Sequence, residues 1–220
     1  KSATGAPLWF GGKHRLSRPK APGEINLLHG ACDWDLVPER TLEDGQSIAI
    51  DDVALEVLAT PGHCANHLCF GVKNSDYLFS GDHVMGWNST LIATPDGSMG
   101  DYFTSLDRLG ACDGRHYFPG HGAPIPNLGP DKNGLTYASE LRTHRMMRNE
   151  QILECIKTGA TSISDIVNQI YPDVGLKIKM AAAMTVQAHV EYLAEKKMLN
   201  IHQGLLGKKS FSLPQQSTIK

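Results

Sequence analysis

Thr60-Pro61-Gly62-His63-Cys64-Ala65-Asn66-His67 is the stretch on which the reading turns, and two others follow it in order: Ser80-Gly81-Asp82-His83 and Phe118-Pro119-Gly120-His121-Gly122. Each stands where a short apolar run gives way to a glycine-bearing loop. Glycine lets the chain turn sharply beside the functional residue. An imidazole or carboxylate is then carried above the edge of a sheet, where loops on a rigid scaffold place their chemistry. Two imidazoles and one carboxylate are borderline-to-hard donors suited to Zn²⁺, Mn²⁺ or Fe²⁺. A carboxylate between two imidazoles can bridge two cations about 3.5–4 Å apart, which together stabilise a developing oxyanion.

Working outward, Ser47–Ile50 and Val53–Thr60 are short alternating runs separated by Asp51-Asp52, the pattern of a hairpin. His67–Val72 and Tyr77–Ser80 make a second pair around Lys73–Asp76. A helix is expected over Met99–Leu109, with Asp101 near its start and Gly110 near its end, then a strand at Arg115–Phe118 and a loop from Pro119 to Gly134. Three further helices are expected at Tyr137–Thr158, Ser162–Ile170 and Ala181–Lys197. The first of them has apolar positions at Leu141, Met147, Ile152, Leu153 and Ile156. A strand pair over Leu199–Leu206 would close them, with Gly204 at its turn. Three helices and a short β-wing describe a winged-helix-like module. The expected division is 1–134 for an incomplete catalytic domain, 135–206 for the winged-helix-like domain and 207–220 for a disordered tail. Residues 1–46 are irregular apart from a strand near Pro7–Phe10.

The 220 residues are 41% hydrophobic and 20% charged, ordinary for a globular protein. No apolar run approaches the roughly 20 residues of a membrane helix. The opening KSATGAPLWF lacks the apolar core of a signal peptide. Five scattered cysteines without a CxxC pair fit reduced thiols in a cytoplasmic protein. Residues 1–136 hold 10 Lys and Arg against 16 Asp and Glu, a net −6; residues 137–220 hold 11 against 7, a net +4, giving −2 in all. An acidic front half suits carboxylate ligands. The mildly basic back half reads first as a solvated helix surface.

TPGHCANH, SGDH and PGHG resemble the third, fourth and fifth motifs of the metallo-β-lactamase superfamily. GDHVMGW, the DGSMGDYFTSLDRL helix and the helical C-terminal module are similar to the branch of bacterial hydrolases related to the lactamase-β-like endoribonuclease of mitochondria. The resemblance covers nearly the whole chain. It implies an α/β fold: a partial αββα sandwich followed by the winged-helix-like domain. It implies that His63 binds one metal, His121 a second, and Asp82 bridges both, with two zinc ions in a complete site. His67 and His83 would then support the ligands. The reaction implied is hydrolysis of an ester, thioester or phosphodiester by metal-bound hydroxide. The partner would be a small-molecule or nucleic-acid substrate, with no membrane.

The family's His-x-His-x-Asp-His motif does not occur: no two of the ten histidines are separated by one residue, and only His83 directly follows an Asp. In the family it precedes the TGAP segment, which here begins at Thr4, so the chain reads as N-terminally truncated. The expectation is one His and a shared Asp per metal, weak metal binding and impaired activity. The general-base Asp is expected in the missing motif. A half sandwich would also leave an apolar sheet face uncovered and favour a homo-oligomer. Two rival readings remain: an inactive fragment, and a winged-helix nucleic-acid-binding protein. The helix at Ala181–Lys197 has only Lys196 and Lys197 as basic residues, which favours a structural, dimerisation or cleft-wall role over groove recognition. His116, His144, His189 and His202 lie outside the motifs and read as structural. Cys64 reads as a small packing residue. Trp87, close after SGDH, reads as a cleft residue; Trp9 and Trp34 read equally as cleft or core.

Overall fold

A computed structural model describes residues 3–111, 115–126, 129, 131–204 and 209–215. Its centre is one five-stranded sheet of β3 (Ser47–Ile50), β4 (Val53–Ala59), β5 (Leu68–Val72), β6 (Tyr77–Gly81) and β7 (His116–Pro119), in that spatial order. The first three pairings are antiparallel and β6–β7 is parallel. Both predicted hairpins form. Asp51 and Asn74 take left-handed backbone at their turns, a conformation their short polar side chains tolerate. A parallel step needs a crossover, and helix α1 (Met99–Gly110) lies between β6 and β7 in the chain. Its N-cap is Ser98, whose hydroxyl accepts from the Asp101 amide. Ahead of the sheet, β1 (Trp9–Phe10) and β2 (Arg40–Thr41) form a separate two-residue parallel pair.

Alternation along the strands gives the sheet two different faces. Leu58, Cys69, Leu78 and Tyr117 point inward, one from each of β4 to β7, against Tyr102, Phe103, Leu106 and Leu109 of α1. The register puts Leu58 opposite Cys69 and Leu78 opposite Tyr117. On the other face Val57, Phe70, Phe79 and Phe118 form a cross-strand row. Leu42 and Ile48 cover one end of it, while Tyr77 and Phe79 are each 46% exposed. An apolar face is thus partly open, as the sequence predicts. The architecture is one main sheet with helices packed on one side; no second large sheet occurs among the described residues.

Three more helices follow: α2 (Gly134–Lys157), α3 (Ile163–Ile170) and α4 (Leu176–Glu195), then a hairpin of β8 (Asn200–Gln203) and β9 (Lys209–Ser212). Helix α2 starts earlier than its apolar pattern suggests, because Asn133 and Thr136 cap it reciprocally. Helix α3 starts as expected, at a capping box of Ser162 and Asp165. Helix α4 begins at Leu176, five residues ahead of the expected Ala181, after Gly175. Its first turns carry Leu176, Ile178 and Met180, all exposed, so no buried stripe marks them. Met147 is also exposed, and Ile152 carries the core contact of that helix instead. The tail expected from residue 207 is corrected in part. Residues 209–212 form β9, paired antiparallel with β8, and Phe211 is buried among Ile166, Val190 and Leu199. The Lys and Ser residues around Phe211 hide a single apolar anchor. Residues 205–208 and 216–220 lie outside the described residues.

The helices are not separate from the sheet. Ala138 and Leu141 of α2 and Ala188 of α4 belong to the same buried cluster as α1, and Tyr192 touches both clusters. Buried Ile152 and exposed Met147 lie on one helix and make opposite predictions. Ile152→Ala should cost about 2–5 kcal/mol of unfolding free energy. Met147→Ala should change it by no more than about 0.5 kcal/mol. Urea denaturation of the two variants checks both.

Candidate metal centre

The three motifs meet at one end of the sheet. Asp82 directly follows β6, His121 follows β7 by two residues, and His63 lies in the loop from β4 to β5. His63 Nε2 stands 3.9 Å from Asp82 Oδ2, and His121 Nε2 stands 3.8 Å from Asp82 Oδ1. One carboxylate therefore faces one imidazole on each of its oxygens. The three side chains are open to solvent to different degrees: 29% for His63, 34% for Asp82 and 64% for His121.

Local structure explains the convergence. The β6–β7 register shifts between Phe79 and Gly81, an irregularity of the kind that re-aims a side chain beside a site. The Gly120 amide donates to Gly81 O at 2.8 Å, tying the two loops together. A Cβ at Gly120 would lie 2.6 Å from Asp82 Oδ1, so glycine there is what lets the carboxylate stand upright. Beyond it, the Gly86 amide donates to His121 O at 3.0 Å and continues the pairing.

The ring states follow from the partners. His63 Nδ1 lies 2.7 Å from Leu91 O. A carbonyl only accepts, so Nδ1 carries a proton, and Nε2 is the ring atom turned toward Asp82. His67 is fixed in the same tautomer by the opposite logic. The Asp82 amide donates to His67 Nε2 at 3.1 Å, and His67 Nδ1 lies 2.8 Å from Thr60 Oγ1. A backbone amide only donates, so Nε2 accepts and Nδ1–H donates to Thr60. Thr60 continues to Cys69 Sγ at 3.2 Å, and Cys69 donates to Ser80 O at 3.4 Å. The sequence runs from β6 to β4 and back to β6. Burial, reinforced by the positive potential of His63, pushes the His67 imidazole down to about 4. It stays neutral at ordinary pH.

His67 therefore positions the backbone of Asp82. Its lone pair is taken, so it is not free for a cation. His83 is placed differently from the expectation that it orients the site. It is fully buried against the Tyr102 ring at 4.6 Å, and neither ring nitrogen has a hydrogen-bond partner. Burial holds it well below its ordinary value, and the neighbouring His67 and His63 act in the same direction. It acts as a neutral wedge under the loop. Cys64 is likewise inert: burial raises its thiol to about 11. Trp87 is 72% exposed beside the Gly86–Gly122 bridge and Trp9 is partly exposed, while Trp34 packs on His14 and His29. His189 pairs with Asn149 at 2.6 Å inside the helices.

Several contributors carry no sequence signal. Thr90 and Leu91 hold His63, and Arg145 of α2, itself buried, donates through Nη2 to Thr90 O. The helical module thus props the loop that aims His63. A buried arginine facing a carbonyl from 55 residues away leaves no local pattern to read.

Residues 2–121, more than half of the chain, match the family model described as the metallo-beta-lactamase superfamily. The chain belongs to the metallo-beta-lactamase superfamily. A beta-lactamase-like protein 2 homolog from Caenorhabditis elegans is 30% identical over 155 residues, covering 70% of this chain and 49% of that protein. An atrochrysone carboxyl ACP thioesterase from Paecilomyces divaricatus is 29% identical over 140 residues, 60% of this chain and 42% of that protein. The chain thus spans about half the length of the curated relatives it matches. Among solved structures, a beta-lactamase domain protein from Burkholderia ambifaria aligns with a TM-score of 0.70 at 22% identity, over 86% of this chain and 57% of that one. A metallo-beta-lactamase family protein from Thermus thermophilus aligns with a TM-score of 0.68 at 23% identity, over 87% of this chain and 60% of that one. At those identities the solved structures speak for the fold. Both alignments run over most of the chain.

Superfamily membership makes the donor set worth testing against a metal. The residues present fit one: both His63 and His121 turn Nε2 toward opposite oxygens of one carboxylate, and Gly120 leaves that carboxylate room. Each imidazole with its own oxygen makes two donors per cation, against the three or four protein ligands of tight zinc sites. Adding a Cβ at Gly120 should displace the carboxylate while His63, Asp82 and His121 all stay in the sequence. Gly120→Ala is expected to lower divalent-cation affinity about 10- to 100-fold in calorimetric titration. The far-ultraviolet circular dichroism should be unchanged.

Proposed function

We propose that this chain carries one side of a two-metal hydrolase site, with His63 toward one cation, His121 toward the other and Asp82 between them, and that the reaction is hydrolysis of an ester or thioester. The carrying observation is the pair of contacts at 3.9 and 3.8 Å to the two oxygens of one carboxylate. Bound cations, zinc being one this donor set suits, supply polarisation of an acyl oxygen and stabilisation of a developing oxyanion. The chain's own residues do the positioning. Leu91 O keeps the His63 lone pair aimed at the site, His67 fixes the Asp82 backbone, and the Gly120–Gly81 hydrogen bond holds the His121 loop against Asp82. Trp87 offers an exposed ring beside the site for a small acyl substrate. The thioesterase name of the Paecilomyces relative favours acyl over phosphodiester chemistry.

With two protein donors per cation, metal affinity and rate in this chain by itself are expected to be low. We read the helices and the β8–β9 hairpin, the winged-helix-like part, as a prop for the site. Arg145 on Thr90 O and the shared core with α1 support that role. The partly open sheet face of Phe79 and Tyr77 favours self-association as a homo-oligomer. Among the described residues no helix is long and apolar enough to cross a membrane.

Thiol release from a short acyl thioester, followed with added Zn²⁺ or Mn²⁺, tests the proposal. The expected outcome is a slow, metal-dependent rate that EDTA abolishes and that Asp82→Ala lowers at least about a hundredfold. An unchanged rate in Asp82→Ala would remove the hydrolase reading. A wild-type rate equal to buffer with metal would leave the inactive-fragment reading in its place.

A further inference from the structure

A second set of metal-ligating side chains converges away from the three motifs. His14 Nε2 lies 2.8 Å from Asp96 Oδ1, and Cys32 Sγ lies 3.7 Å from the same oxygen. The three donor atoms all fall within 4.8 Å of one another. Asp96 is only 3% exposed, yet its two oxygens are used unequally. Oδ1 also accepts from Asn26 Nδ2 at 3.1 Å, so three groups crowd it, while buried Oδ2 has no hydrogen-bond partner. A buried carboxylate oxygen with no partner is costly, and native structures rarely leave one. A plain His–Asp ion pair accounts for Oδ1. It does not account for Oδ2, or for a thiol aimed at the same carboxylate.

A divalent cation accounts for all three features. Imidazole, thiolate and carboxylate are the donors zinc takes, at about 2.0–2.3 Å. Tetrahedral donors at those lengths sit about 3.3–3.7 Å apart; Cys32 Sγ at 3.7 Å from Asp96 Oδ1 already matches, and His14 at 2.8 Å would have to draw back slightly to admit an ion. A turn of the Asp96 carboxylate toward an ion between His14 and Cys32 would give Oδ2 a charge partner.

The location suggests what the ion does. His14 and Cys32 belong to the stretch before β3, whose regular structure is two two-residue strands and one 3₁₀ turn at His29–Ala31. Asp96 belongs to the loop between β6 and α1, which also supplies Leu91 O to His63. Ser17 ties the same two segments through its amide to Pro95 O and its hydroxyl to Asp96 O. We propose that His14, Cys32 and Asp96 form a separate divalent-cation site with zinc-like donor preference, which clamps the irregular N-terminal stretch onto the loop that aims His63. The proposal does not depend on the hydrolase reading, because it uses none of the motif residues.

Cobalt substitution in the full chain tests it without any activity assay. Metal-free protein titrated with Co²⁺ should develop a near-ultraviolet thiolate-to-cobalt charge-transfer band that saturates at one ion per chain. The band should vanish in Cys32→Ser and fall in His14→Ala. It should persist in Cys64→Ser and in Asp82→Asn. No band in the wild type, or a band that survives Cys32→Ser, overturns the proposal. Alkylation of the unmodified chain, read at Cys32 by mass spectrometry, needs no variant. Zn²⁺ at about ten times its Kd should slow Cys32 modification about tenfold. An unchanged rate overturns the proposal even if the serine variant fails to fold.

Discussion

The amide of Asp82 donates to His67, and the geometry of the site depends on that contact. It joins the loop after β6 to the start of β5. It also forces a single tautomer, because a backbone amide cannot accept. His67 in turn donates to Thr60 at the end of β4, and Thr60 leads through Cys69 back to the carbonyl of Ser80. Three neighbouring strand ends are tied by side chains at the level where the backbone ladder stops. The carboxylate of Asp82 is left with both oxygens free to face His63 and His121. A substitution at His67 would therefore act through the backbone position of Asp82.

Much of this architecture could be read from the residues. Alternation in Ser47–Ile50, Val53–Ala59, Leu68–Val72 and Tyr77–Gly81 is strong because one face of the sheet is buried under α1 and the period of two is enforced there. The motif residues His63, Asp82 and His121 were legible because glycine and proline mark the strand ends on which they sit. The supporting roles were less so. His83 follows the central Asp and invites an orienting role, yet the next residue along a turning chain points away, and its ring is spent on packing against Tyr102. Leu91 contributes only its carbonyl, which carries no side-chain signature. Arg145 acts on Thr90 across 55 residues, a distance over which periodicity is silent. Phe211 shows the same limit in the core: one apolar side chain among Lys and Ser residues is enough to dock β9, and too little to form a pattern.

The helical part matters to the site through mechanics. Helices α2 and α4 share a core with α1, and α1 begins one residue after the loop of Asp96, Gly97 and Ser98. That loop also bears on the His63 loop directly: the Ser98 amide donates to Gly62 O, and an added Cβ at Gly97 would meet His63 O at 2.7 Å. Residues at 14 and 32 reach the same loop from the other side. The candidate centre thus sits between two supports, one helical and one irregular, that meet at residues 90–98. A superfamily sheet with glycine-marked strand ends supplies His63, Asp82 and His121, and these supports decide where their side chains point.

In the proposed function Asp82 stands between two cation positions. Zinc-edge anomalous diffraction from crystals grown with excess Zn²⁺ tests it most directly. Anomalous density is expected on both sides of the Asp82 carboxylate, one peak toward His63 and one toward His121. Crystals with zinc bound elsewhere and no density beside Asp82 would contradict it.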